Sequence, residues 1–166
     1  MIPIYIKNWL TIIEQMNNDN TYKLAWGRAL VECVYFEDYE NDNNHIVISF
    51  DRIAFRMLKY YWNQLFFFNL KQSPYKDKDP VICKDTEKLI TLYKDNTLST
   101  IPIWFDEAHE YFIKNDKESF DKVLKHISKT LHENVSWRFK NIPNSVLDIY
   151  DINKEKSLVL IDSKDA

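Results

Sequence analysis

IVISFDRIAFRMLKYYWNQLFFFNL, residues 46–70, decides the fold. Ile53, Ala54, Met57, Leu58, Tyr61, Trp62 and Leu65 recur at helical spacing and make one apolar face. Ser49 stands where an N-cap belongs, and Asp51 falls in the first turn, where a negative charge suits the helix dipole. Tyr60, Tyr61, Trp62, Phe66, Phe67 and Phe68 carry too much aromatic surface to leave in water, since a large ring buries roughly 150–250 Å². Other segments must therefore pack around a central aromatic-rich helix over 50–68. Ile46-Val47-Ile48 reads as a short strand leading into it.

On the N-terminal side, residues 3–16 read as a helix that turns Ile6, Trp9, Leu10 and Ile13 inward. Residues 17–20 are a polar break in which Asn20 is the expected N-cap of a second helix, from Thr21 to about Glu37. The inward face of this helix is Tyr22, Ala25, Trp26, Ala29, Leu30, Cys33 and Val34. Gly27 lies inside it at a cost of about 1 kcal/mol against Ala, which close packing of another element would explain. Asp38 to Asn44 reads as an acidic, Asn-rich loop without the glycine and terminal Glu of an EF-hand.

On the C-terminal side, Lys71 to Asp79 is a basic linker. Asp79 caps a helix over 80–93, with Pro80 at its first position. A loop over 96–100 and the apolar run Ile101-Pro102-Ile103-Trp104-Phe105 precede a helix from Asp106 to about Lys114; another spans Glu118 to Glu133. The period then changes. Val146–Ile152 and Ser157–Ile161, joined by a four-residue turn, read as a β-hairpin. A lone hairpin is marginal in water, so it must dock on the helices or pair elsewhere. The expectation is a mainly α domain over 1–166, about six helices around helix 50–68, with a C-terminal hairpin at 146–161.

A net charge of −3 gives no bulk attraction to nucleic acid or to an anionic membrane, so DNA binding would need a local basic patch. The chain has a single glycine, which excludes glycine-rich phosphate loops and the Rossmann fingerprint by count. Cys33 and Cys83 form no C-x-x-C pair, which excludes a zinc ribbon, and their isolation suits a reducing cytoplasm. The N-terminus lacks the basic and apolar regions of a signal peptide, and no run approaches the ~20 apolar residues of a membrane span.

Four motifs bear on chemistry. Asp106-Glu107-Ala108-His109 spells a DEAH box, but without a phosphate loop it reads as a helix start capped by Asp106. His109-Glu110 and His132-Glu133 begin H-E-x-x-H, but Ile113 and Ser136 stand where the second His is needed. Asp148 with Asp162 and Lys164 has the spacing of a D…(D/E)-x-K nuclease, in which two carboxylates on adjacent strands hold Mg²⁺ and the lysine steadies water or phosphate. Lys122, Lys125 and Lys129 share one face of a helix, opposite Phe120, Val123, Leu124, Ile127 and Leu131. His126 and His132 flank this stripe, and Arg138 and Lys140 follow. Such a stripe is either a phosphate-contacting ridge or a solvated helix face.

Asn20-Thr21-Tyr22-Lys23 opening one helix, Tyr61-Trp62-Asn63-Gln64 closing another, and Ile101-Pro102-Ile103-Trp104 beyond them resemble the N-terminal region of bacterial HNH-type restriction endonuclease-like proteins. The resemblance covers roughly residues 17–105. It implies a domain that recognises duplex DNA or assembles a homodimer in a defence nuclease, with no membrane partner. In that family the chemistry sits in a C-terminal ββα-metal module built on a His base, an Asn and a second His. The four histidines here, His45, His109, His126 and His132, have no such setting, so no catalytic residue carries over. The chain then reads as the N-terminal part of a longer protein, or a stand-alone relative, without a cofactor of its own. Tyr22, Tyr61 and Trp62 match the pattern as core residues; Lys23, charged and at a helix start, joins the DNA-binding candidates. The alternatives are a stand-alone Mg²⁺ nuclease using Asp148, Asp162 and Lys164, and a helical protein-interaction module.

Overall fold

The computed structural model describes residues 2–16, 21–42, 44–70 and 79–164. Its core is α3 (Phe50–Phe68), with the bounds the periodicity predicts. Ser49 Oγ accepts the Arg52 N–H at 3.3 Å, which fixes the start; Asn69 in the left-handed region closes the end. α3 packs against α2 (Tyr22–Tyr35), α4 (Val81–Thr97), α5 (Phe105–Asn115) and α6 (Lys117–Thr130). Phe50, Ile53, Ala54, Met57, Leu58, Tyr61 and Trp62 are buried, and Leu65 is partly so.

α6 does not end at Glu133 as expected. It runs into a five-residue π-turn, Leu131–Val135, and then α7 (Ser136–Phe139). Leu131, Val135, Ser136 and Phe139 are all buried along this stretch. α4 likewise runs four residues beyond the expected Tyr93, and its N-cap is Pro80 rather than Asp79. The N-cap position of α5 is Trp104; Asp106 lies in the first turn and pairs with Lys59 at 2.8 Å. Asn20 and most of the 71–79 linker lie outside the described residues.

The C-terminal hairpin is present, and it pairs with the strand that leads into α3. β5 (Asp151–Asn153) and β6 (Leu158–Asp162) join β2 (His45–Ser49) and β1 (Glu40–Asp42) in an antiparallel sheet of order β1-β2-β6-β5. Ile48 faces Val159, and Ile46 faces Ile161. β1 falls within the segment expected to be loop. It exists because β2 offers an edge and because Asp38, just before β1, is held by Arg52 and Arg56. The first hairpin strand is shorter than 146–152. Ser145–Val146 (β4) instead pairs with Asn141–Ile142 (β3) around Pro143-Asn144, with Asn144 at φ 69°.

α1 (Ile4–Gln15) shows the largest departure. Ile12 and Met16 are buried and Tyr5 and Trp9 half-buried, whereas Ile6, Leu10 and Ile13 lie exposed. The apolar arc of the helix is broad, running from Tyr5 and Ile12 round to Leu10, so periodicity allows either half of it to face inward. Packing selects the one whose Trp9 ring meets Phe139 at 5.5 Å between centroids. Gly27 permits that contact, because a Cβ there would lie 2.8 Å from Phe139 Cζ and 3.4 Å from Trp9.

With the one glycine placed inside α2, the left-handed backbone among the described residues falls on Glu37, Asn69, Leu98, Asn144 and Ser157. Leu98 is 92% exposed and makes the αL cap of α4 at φ 54°. We therefore expect Leu98→Gly to raise unfolding free energy by about 1 kcal/mol. Gly27→Ala should lower it by about 1 kcal/mol or more despite the better helix propensity of Ala. Urea denaturation reads both, and the opposite signs would contradict the packing described.

Candidate functional site

The three segments that carry the family resemblance meet at the C-terminal half of α3. Thr21 Oγ1 and Tyr61 OH lie 3.1 Å apart. Trp62 Nε1 donates to Ile103 O at 2.9 Å, and Asn63 Oδ1 accepts the Phe105 N–H at 3.0 Å, supplying the cap that α5 lacks from its own residues. Phe67 stacks on Trp104 at 4.2 Å between ring centroids. These side chains join α2, α3 and α5. They are joints of the fold.

The DEAH residues are structural too. His109 stacks on Phe105, and its ring lies against Phe55 and Phe120; burial holds its pKa below the ordinary histidine value. His132 sits in the π-turn with its ring edge-on to Phe50, and its Nε2 is buried without a hydrogen-bond partner among the described residues. Trp26 Nε1 donates to Tyr150 OH, which donates to Ser136 O, so the C-terminal segment is pinned through the core.

Of the nuclease-like trio, Asp148 and Asp162 line one small polar hollow of about 160 Å³ with His45 and Asp151. Asp148 precedes β5 and lies on no strand. The Lys164 N–H and Nζ both donate to the Asp162 carboxylate, at 3.1 and 3.0 Å. The backbone bond, then the side-chain bond, hold that carboxyl below the usual range. Lys164 thus lies on its own neighbour. Among the described residues, no three His, Cys, Asp or Glu side chains are grouped to hold a metal ion.

α6 carries the basic ridge. Asp116 Oδ1 caps it by accepting the Ser119 N–H at 3.2 Å. Phe120 and Ile127 are buried, Val123 and Leu124 half-buried, and Lys122, Lys125 and Lys129 project into water along the opposite edge. Lys129 reaches Glu133 at 3.8 Å, an exposed pair of little energetic weight. Past the π-turn, Arg138 is exposed against the Trp137 ring. Lys140 is committed elsewhere, since its Nζ donates to Tyr150 O at 2.7 Å and lies over the Tyr150 ring. Lys23 is half-buried on the first turn of α2. Sequence reasoning missed Lys88 of α4, which lines one hollow with Lys122. Nothing local marks it, because the two helices meet only in the fold.

A second feature is apolar. Ile6, Leu10 and Ile13 of α1 and Leu24, Val31 and Tyr35 of α2 are exposed at helical spacing. Between these helices lie two hollows of about 300 and 440 Å³ that share Trp9 and Val31. Among the described residues, no helix is long and apolar enough to cross a membrane.

Burial pushes the Cys33 thiol up to about 11 and the Cys83 thiol up to about 12, so both are protonated at neutral pH and suit neither nucleophilic nor metal-binding roles. A family model described as a domain of unknown function, DUF8808, matches residues 6–159, from α1 into β6. No curated protein and no solved structure matches the chain. The folded chain should leave both cysteines unmodified by a maleimide at mildly alkaline pH, and both should react in denaturant. Fast labelling of either in the folded state would contradict their burial.

Proposed function

The chain belongs to the DUF8808 family, and we propose that it is a non-catalytic DNA-recognition domain that lays the exposed edge of α6 along the phosphate backbone of a duplex. The observation that carries this reading is the alignment of Lys122, Lys125 and Lys129 on one solvent-facing edge of a helix whose other face is anchored in the core. Arg138 lies beyond the π-turn, and Lys88 flanks Lys122 from α4. A rigid helix with a periodic row of cations fits a repeating anion. The nuclease context, of HNH type and acting in the cytoplasm, rests on the resemblance of the three motifs; the two free, buried cysteines accord with a reducing compartment.

Binding to a mixed-sequence duplex should weaken steeply with salt, with a slope near −3 if three lysines each neutralise one phosphate. Reversing Lys122, Lys125 and Lys129 to Glu should abolish that dependence. An unchanged affinity and slope in the triple variant would sink the proposal. Mg²⁺-dependent cutting of the duplex, lost in Asp162→Ala, would assign the chain a nuclease role in its place.

The α1–α2 face favours assembly as a second reading. Five large apolar side chains about half exposed, and Tyr35 78% exposed, present on the order of 500 Å², at the upper end of what a monomer leaves in water and a size that often marks a contact site. A second copy of the chain is the occupant we infer, because an interface standard in size needs about 800 Å² per partner and this face supplies most of it. It would pair α1 and α2 isologously across a two-fold axis. Sedimentation should show a concentration-dependent dimer that Val31→Asp dissociates; a monomer at every concentration would dismiss it.

A further inference from the structure

Among the described residues, Asp85 is the one charged residue buried in the core, with 1% of its surface exposed. It lies on α4, where Ile82, Cys83, Thr86 and Leu89 face inward, and it meets α6. Each carboxylate oxygen takes one donor. Oδ1 accepts Lys88 Nζ at 2.7 Å, and Oδ2 accepts His126 Nδ1 at 2.5 Å. A carboxylate buried this deeply is tolerated only when it is paired and hydrogen-bonded, so it fixes the direction of both partners. Their side chains remain more than half exposed. With Nδ1–H given to Asp85, Nε2 is the His126 nitrogen left for a ligand, and it donates to a ligand oxygen when the ring carries both protons.

These groups border a hollow of about 480 Å³ between α4 and α6, within the usual size range of small-molecule sites. Lys88, Lys122, His126, Ser119 and Asp85 are its polar members, Asp85 with its two oxygens taken by Lys88 and His126, and Leu89, Leu92 and Val123 are apolar. The two lysines, Ser119 and, when it carries both ring protons, His126 offer donors from different directions, which suits the three terminal oxygens and the double charge of a phosphate. The apolar residues leave room for a flat or aliphatic body beside that phosphate.

We propose that the α4–α6 pocket binds a phosphate monoester with an apolar or aromatic body. Its phosphate is held by Lys88, Lys122 and His126, and its body rests on Leu89, Leu92 and Val123. The buried Asp85 is the positioning residue that aims Lys88 and His126. This site does not depend on the DNA reading, although Lys122 belongs to both, and a nucleotide is one source of the same chemistry whether free or within a strand.

The test titrates the full chain with phenyl phosphate, adenosine 5′-monophosphate, inorganic phosphate and benzoate, followed by NMR shifts of α4 and α6 amides. Phenyl phosphate and the nucleotide should bind more tightly than inorganic phosphate, and benzoate more weakly than phenyl phosphate. Lys88→Gln and His126→Gln should each weaken binding about tenfold, the effect of losing one charge-assisted hydrogen bond. Lys114→Gln, on α5, should leave it unchanged. Leu92→Trp, which fills the apolar side without altering charge, should remove the preference for phenyl phosphate over inorganic phosphate. Thermal melting confirms that each variant is folded, and a loss of affinity counts only in a folded variant. If the Gln variants unfold, Leu92→Trp decides. No shift at millimolar phenyl phosphate, or equal affinity in wild type and the folded pocket variants, would overturn the proposal. So would shifts produced by duplex DNA alone, which would assign the phosphate contacts to the DNA face.

Discussion

Burial of α3 on almost every side is the constraint from which the rest follows. Nine of its nineteen residues are buried. Its polar atoms must then find partners inside the protein, because an unpaired buried donor costs about 1–3 kcal/mol. Trp62 shows the consequence. Its ring touches Phe66, Tyr93, Phe105 and Phe112, while its N–H is satisfied by Ile103 O. Asn63, one residue on, holds the first N–H of α5. Where the chain passes after α4, and where α5 begins, are therefore decided by two adjacent side chains of α3.

The other end of α3 is fastened by the last strand. β6 lies between β2 and β5, and Ser157 O accepts the Phe50 N–H at 3.1 Å, so the C-terminal hairpin is bound to the start of the central helix. A polar cluster ties α2 to the same helix. Glu32 accepts Tyr60 OH and Arg28 Nε, and Arg56 reaches Glu32 and Asp38. Burial works against the Glu32 charge, but the bonds from Tyr60 and Arg28 outweigh it and hold its carboxyl below the ordinary range. That contribution to stability is present above the unfolded carboxyl value and fades as pH falls through the lowered folded one.

The parts of this fold legible in the sequence are those that local physics determines. α3 was readable because apolar spacing, Ser49 and Asp51 all agree. The face of α2 and the hairpin were readable for the same reason. Long-range choices were not. The apolar arc of α1 is wider than the face that packs, and the contact with Phe139 that Gly27 permits selects the buried half. β1 depends on a neighbouring edge. For the candidate site, the row of Lys122, Lys125 and Lys129 was legible because it lies on one helix. Lys88 and the Asp85–His126 pair were not, because Asp85 and His126 are 41 positions apart and meet only where α4 packs on α6. Lys140 counted as a free cation in the sequence, and the fold commits it to Tyr150.

An aromatic core thus holds α6 with its lysines outward, and the side chains of the family-like motifs join the helices of that core. The most direct measurement of the recognition role is a residue-resolved NMR titration of the chain with a short DNA duplex at low salt. The account predicts shifts concentrated along the outer edge of α6, from Lys122 to Lys129, and around Arg138. Shifts confined to α1 and α2, or no shifts at all, would contradict it.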